Sequence, residues 1–257
     1  MTANRKENLW CYWENPSWWD NMYGYIQMCL DTFYHHCGKT FIVNLITRDN
    51  INRYIDDLPG GFWEWPHICT RSDYIRIVLT FRYGGIWLDI DTLLMRPIDH
   101  LRNILDKYGA FWGCGSRNFN GVLGFTPKNL IAAKSVDIMN QLIITRKKDL
   151  SRCDLGWNIL KLAKQKLYSS MGEQINHFML PSKWFYSISW GNSHILQQDV
   201  CAKKYCVDDI YGLCIWNHKL TKKRKWFYKM KKNEILEMNC LFSNLYKISM
   251  EKDGENQ

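Results

Sequence analysis

A layered α/β domain with a largely parallel sheet is the fold class this sequence predicts. Three observations carry that expectation. Strand-like and helix-like stretches alternate along the chain, the pattern of strands joined through helices. Ile86-Trp87-Leu88 is apolar on both faces, as in a strand covered from both sides. No internal repeat or low-complexity linker interrupts the alternation.

The elements are expected in this order. "NLWCYW" (8–13) reads as a first strand, and a helical stretch follows over about 22–35. "KTFIVNLIT" (39–47) is strand-like, and Asp49 or Asn50 could cap a helix running through Ile55. Ser72 or Asp73 opens a helix that continues through Arg82 and is closed by Gly84-Gly85. "GIWLDIDTLLM" (85–95) reads as one continuous strand, followed by strand-like "AFWGCG" and "GVLGFTP". A long helix is expected over about 129–148, and the chain after about Leu180 is less regular.

Composition limits the function classes. At 257 residues and 46% hydrophobic, the chain can bury a sizeable core. No apolar stretch approaches the ~18 residues of a membrane span, and no apolar segment follows the charged N-terminus, so neither a span nor a signal peptide is expected. The expectation is a cytoplasmic protein, peripheral to a membrane at most. The ten cysteines form no Cys-x-x-Cys pair and are expected as thiols. Cys201, Cys206 and Cys214 with His194 and His218 match none of the usual zinc spacings.

The net charge of +9 is concentrated. "KLTKKRKWFYKMKK" (219–232) carries eight basic residues and no acidic one, which leaves +1 for the remainder. A general nucleic-acid-binding body is therefore not expected. Trp226, Phe227, Tyr228 and Met230 interleave with the lysines, as in an interfacial segment facing an anionic surface; a solvated face is the plain alternative.

Asp89-Ile90-Asp91 reads either as a pair of metal ligands or as two solvated carboxylates at a strand end, and chance alone supplies about one Asp-x-Asp in a chain of this length and aspartate content. Its context adds meaning. On a strand both carboxylates would face the same way, at the C-terminal end where open α/β sheets bind ligands. The preceding helix is apolar nearly all round except for Asp73, Arg76 and Thr80, a single stripe. Buried charges need partners. Either Asp73 and Arg76 satisfy each other, or the stripe faces a ligand beside the two aspartates.

"SDYIRIVLTFRYGGIWLDIDTLLMRPI" resembles the core of the DXD glycosyltransferases with sugar-binding region (glycosyltransferase family 32), and is similar to the capsular-polysaccharide and α-1,4-glycosyltransferase relatives. The likeness extends in order through "LWCYWENP", "NGVLGFTP", "LPSKWFYSISW" and "YGLCIWNHK", covering about 8–228. It implies a single GT-A type domain, Rossmann-like, with a mixed, mostly parallel sheet flanked by helices over 1–228. The nucleotide-sugar core would span about 8–130 and the acceptor side about 131–228, with 229–257 a basic and polar tail.

The resemblance implies a retaining transferase that moves a sugar from a nucleotide-diphosphate sugar, such as a UDP-sugar, to a glycan, lipid-linked or protein acceptor. Mn²⁺ or Mg²⁺ would neutralise the departing diphosphate. Asp91 would hold the metal, with Asp89 reaching the ribose and metal-bound water and His218 a further candidate ligand. Asp73 and Arg76 would bind the donor, and Trp216 and Asn217 belong to the same implied set. Trp10 and Trp13 would lie near the base, although tryptophans in so aromatic a chain are more often core. Asn120 and Asp154 are the candidates near the reacting carbon.

Three positions depart from the family pattern: Cys214 stands at its C-terminal His, Gly156-Trp157 at its Gly-Pro, and Ser187 at a Pro. A thiol is a poor ligand for a hard cation. The competing readings are a non-catalytic sugar-binding protein of the same fold and a haloacid dehalogenase-like phosphatase. The latter wants Thr or Val where Leu93 stands.

Overall fold

The computed structural model describes residues 6–14, 22–113, 119–146, 149–152, 154–171, 175–217 and 227–251. In chain order the elements are β1 (Glu7–Tyr12), α1 (Gly24–Cys37), β2 (Phe41–Ile46), α2 (Ile68–Tyr83), β3 (Gly85–Leu88) and β4 (Thr92–Leu94). Then come α3 (His100–Tyr108), β5 (Ala110–Trp112), β6 (Val122–Phe125), α4 (Leu130–Arg146), α5 (Asn158–Met171), β7 (Phe178–Met179), β8 (Gly212–Cys214), α6 (Lys232–Glu237) and α7 (Leu241–Glu251). The alternation expected from the sequence is present, and the class is α/β. The chain divides into two compact units, one of Met1–Pro16, Asn44–Leu88 and His100–Leu180, the other of Ser17–Val43, Asp89–Asp99 and Pro181–Gln257.

The first unit is organised by a six-stranded mixed sheet of order β2-β1-β3-β6-β5-β7. β1 runs parallel to β3 and β5 parallel to β7, while β6 is antiparallel to both β3 and β5. In register, Trp10 faces Trp87 across β1 and β3, and both join a core with Ile75, Val78, Leu123 and Phe125. Burial on both sides accounts for the continuous apolar run of β3.

α2 starts at Ile68, earlier than Ser72 or Asp73 would open it; His67 precedes it with no side-chain cap, so local sequence gives no start signal. Its end is as read: Gly84, at φ +71°, donates its N–H to Thr80 O at 3.0 Å. Gly85 follows at φ +101°. The helix expected through Ile55 is only a 3-10 turn, Ile51–Arg53; Asn50 Oδ1 accepts from Thr47 N instead of capping it. α4 does begin with a side-chain cap, Asn129 Oδ1 accepting from Ile131 N at 2.9 Å.

At the end of this sheet His177 stacks on Trp112, with ring centroids 3.7 Å apart, and Lys164 Nζ lies 3.0 Å from His177 Nδ1. Burial, and then the Lys164 charge, push the imidazole down from 6.5 to about 4. The unfolded chain therefore takes up a proton that the folded one refuses. This contribution to stability is intact above pH 6.5 and lost as pH falls towards 4. Melting curves across that window should fall more steeply for the parent than for His177→Phe; equal slopes would show that His177 titrates normally.

In the second unit β4 pairs antiparallel with β8, placing Thr92 opposite Cys214. α1 and α7 brace β4 by side chains: Leu94 N donates to Thr32 Oγ1, and Ser249 Oγ donates to Leu94 O. The stretch 85–95 is therefore two strands in different sheets rather than one. Nor is 229–257 simply a tail, because α6 and α7 bury Ile235, Leu241, Phe242 and Leu245. Phe227, expected at an interface, is fully buried against Tyr25 and Phe242. Residues 219–226 of the basic segment lie outside the described residues. Among the described residues no helix is long and apolar enough to cross a membrane.

Candidate functional site

In the first unit the polar stripe of α2 resolves into a cluster. Arg76 Nη2 lies 3.3 Å from Asp73 Oδ1, and Asn120 Nδ2 donates to the same oxygen at 2.9 Å. Arg76 Nη1 donates to Asn120 O at 2.7 Å, and Nη2 to Ser72 Oγ at 3.1 Å. The guanidinium also lies over the Trp87 ring, 5.3 Å from its centroid. Asp73 and Arg76 are both buried, so mutual pairing and the added hydrogen bonds offset their desolvation. Thr80 takes no part: its hydroxyl donates back to Arg76 O within the helix. Asn120, remote in sequence, thus meets the Asp73–Arg76 pair.

The other first-unit candidates are placed differently. Trp10 is 2% exposed and its indole N–H donates to Gly84 O at 2.8 Å, a core position. Trp13 is half-buried, its backbone N–H donating to Ile46 O. Asp154 ties the segment after α4, accepting from Arg146 Nη1 and from Ser151 N, both at 2.7 Å. Burial raises its pKa, but the Ser151 hydrogen bonds and Arg146 outweigh this and hold it below the usual carboxylate value.

In the second unit the Asp-x-Asp occupies a tight turn, not a strand. Thr92 N donates to Asp89 O at 3.0 Å, closing the turn, and Ile90 is buried. The argument that both carboxylates share a strand face therefore does not apply. What orients Asp91 is a clasp from the segment after β8. Ile215 N donates to Asp91 O at 2.9 Å and Asn217 N to Asp91 Oδ2 at 2.7 Å. Trp216 between them adopts φ +58°, unusual for a residue with a side chain, and its indole N–H donates to Ile188 O at 2.7 Å. Such a conformation costs about 1–3 kcal/mol and concentrates at functional sites. Tyr25, fully buried, donates its hydroxyl to Asn217 Oδ1 and steadies the clasp. Tyr25 and Ile215 carry no sequence signal: one is an ordinary core aromatic, the other acts through its backbone.

Cys214 sits beside this turn. Burial, then the charges of Asp91 and Asp89, push its thiol well above the ordinary value, and Cys29 is raised by burial and by Asp91. A thiol is a poor ligand for a hard cation. His218 lies outside the described residues. Among the described residues no cluster of three or more His, Cys, Asp or Glu side chains is arranged to hold a metal. Two carboxylates on one turn nevertheless suit Mg²⁺ or Mn²⁺, which commonly take one or two carboxylates and complete their shell with phosphate oxygens and water.

Residues 17–109, which contain Asp73, Arg76, Asp89 and Asp91, match the family model of the glycosyltransferase sugar-binding region containing a DXD motif. That match covers 93 of the chain's 257 residues. Curated relatives agree with the match. The region is similar to the O-glycosyltransferase PaGT of Phomopsis amygdali, 28% identical over 115 residues, covering 40% of this chain and 28% of that protein. It is also similar to the O-glycosyltransferase braB of Annulohypoxylon truncatum, 27% identical over 107 residues, covering 37% and 25%. This chain thus spans about a quarter of the length of the curated relatives it matches. Among solved structures, the apo-form glycosyltransferase GlyE of Streptococcus pneumoniae TIGR4 superposes with a TM-score of 0.49 at 12% identity, over 95% of this chain and 60% of that one. A galactosyltransferase LgtC in complex with donor and acceptor sugar analogs gives 0.42 at 13% identity, over 70% and 75%. Asn120, Trp216 and Asn217 lie outside the DXD region that the family model matches.

Proposed function

We propose that the chain is a metal-dependent, retaining glycosyltransferase of GT-A type. It would move a sugar from a nucleotide-diphosphate sugar, with a UDP-sugar favoured, to a hydroxyl of a glycan, lipid-linked or protein acceptor. The observation that carries this reading is the clasped turn: Asp91, inside a DXD region, is fixed by two backbone N–H groups from one downstream segment. With its carbonyl held by Ile215 N–H and its carboxylate by Asn217 N–H, Asp91 is prepared for a ligand that demands fixed geometry.

In this reading Asp91 and Asp89 hold the metal, and Ile215, Asn217 and Tyr25 orient Asp91. The bound cation supplies Lewis-acid stabilisation of the leaving diphosphate. Asp73 and Arg76 bind the donor's hydroxyl groups, and Asn120 acts through them by bracing both charges. A braced pair keeps its geometry, which is what orienting a substrate requires. Peripheral contact of the lysines of 219–232 with an anionic surface belongs to the same proposal.

The test is release of UDP or GDP from a panel of nucleotide sugars by the full chain, with and without Mn²⁺. Mn²⁺-dependent release is the expected result. No release and no binding of any donor would overturn the reading. One observation favours a second reading, a sugar-binding protein without catalysis: a thiol, Cys214, stands opposite Thr92 beside the turn, where a hard cation finds a poor ligand. Donor binding without turnover in the presence of acceptor glycans would select it. Restoring the imidazole separates the two further. Cys214→His is expected to lower the Mn²⁺ concentration for half-maximal turnover by about tenfold, whereas an unchanged requirement would place residue 214 outside the metal's reach.

A further inference from the structure

A cleft of about 400 Å³ in the first unit lies between α5 and the strand end that carries Trp112. Its floor is the stacked pair of Trp112 and His177. One wall is a helical stripe of α5, Lys161, Lys164 and Tyr168, at the three- and four-residue spacing that aligns side chains on one face. Ile175 and Met179 form the other side.

Among the described residues that line it, the charged groups are Lys161 and Lys164. α5 contains three lysines and no acidic residue, and none lies between Ile175 and Met179. Among the described residues neither Lys161 nor Lys164 forms an ion pair, although Lys134, Lys183 and Lys232 all do. Lys164 is half-buried, and its near partner is the neutral ring of His177. Burial already depresses the Lys164 ammonium, so its charge there is incompletely compensated. The rim is apolar and open: Tyr168 is 54% exposed and Met179 46%. A cation pair inside an aromatic and thioether rim calls for an anion attached to an apolar body.

We propose that this cleft binds a phosphate group carried on an apolar or aromatic body, the phosphate held by Lys161 and Lys164 and the body lying against Tyr168 and Met179. The site stands independently of the proposed transferase activity, since none of its residues belongs to the Asp91 clasp or to the Asp73–Arg76 cluster.

Calorimetric titration of the full chain with 1-naphthyl phosphate, inorganic phosphate and 1-naphthol tests it, all in saturating UDP and Mn²⁺ to keep the probe from any nucleotide site. Naphthyl phosphate is expected to bind at least about tenfold more tightly than either half-molecule, and Lys161→Gln/Lys164→Gln to weaken it by about tenfold or more. Lys134→Gln/Lys203→Gln, which removes the same charge elsewhere, is expected to leave binding unchanged. Absence of binding, or equal binding by the parent and the Lys161→Gln/Lys164→Gln variant, overturns the proposal. A second arm identifies the source of the phosphate. Co-sedimentation with phosphatidic acid vesicles that falls in that variant assigns a lipid. Equal co-sedimentation beside lost naphthyl phosphate binding assigns a soluble phosphate ester.

Discussion

Asp91→Asn is expected to lower Mn²⁺-dependent nucleotide-sugar turnover by about 10²–10³-fold, equivalent to ~3–4 kcal/mol of transition-state stabilisation. The substitution keeps an oxygen to accept the Asn217 N–H, so the clasp survives and only the charge is lost. Stability should change by less than about 1 kcal/mol. The two effects are read separately, as kcat/KM at saturating Mn²⁺ and as a melting midpoint. Turnover at the parent level with an intact fold would remove Asp91 from the mechanism. Asp91→Ala answers the question less cleanly, because it releases Asn217 as well and confounds lost chemistry with a loosened clasp.

The second large effect concerns the glycines that precede β3. Gly85→Ala is expected to destabilise the fold by about 3–5 kcal/mol, combining a positive φ with overpacking. At φ +101° a side chain is strained regardless of space, and a Cβ there would collide with Asn8 O and come within 2.9 Å of Asn8 Cβ on β1. The neighbour is a sheet strand, which cannot yield cheaply. Gly61→Ala isolates the strain: Gly61 also has positive φ, +73°, but its Cβ would meet only Glu64 Oε2 at 3.9 Å. That variant should cost about 1–2 kcal/mol. Denaturant midpoints for the pair measure the difference, and equal losses would show that β1 moves aside.

These two cases also indicate what the sequence makes legible. The double glycine, the apolar strand behind it and the alternation of elements are local signals, and the corresponding structure follows them. The Asp73–Arg76 pairing is local as well, at one helical turn. Three things escape local reading. The break between β3 and β4 is hidden because Ile90, buried within the turn between the two aspartates, continues a strand-like alternation. The start of α2 is hidden because no capping side chain announces it. The partners that organise the candidate site are hidden by distance: Asn120 meets Asp73 across 47 residues, and Asn217 meets Asp91 across 126. Of these, only the asparagines are residue types that a motif search would retain.

That last separation has a consequence during synthesis. A ribosome adds roughly 5–20 residues each second, so Asp91 emerges well before Asn217 exists to hold it. β4 likewise waits for β8, its partner across the same gap. For roughly 6–25 s every nascent copy carries its acidic turn without the clasp. Premature termination between Asp91 and Ile215 leaves a chain with the complete DXD motif but without the groups that hold Asp91. In such a product the acidic turn has no clasp, so the segment around Ile215 and Asn217 decides when Asp91 becomes fixed.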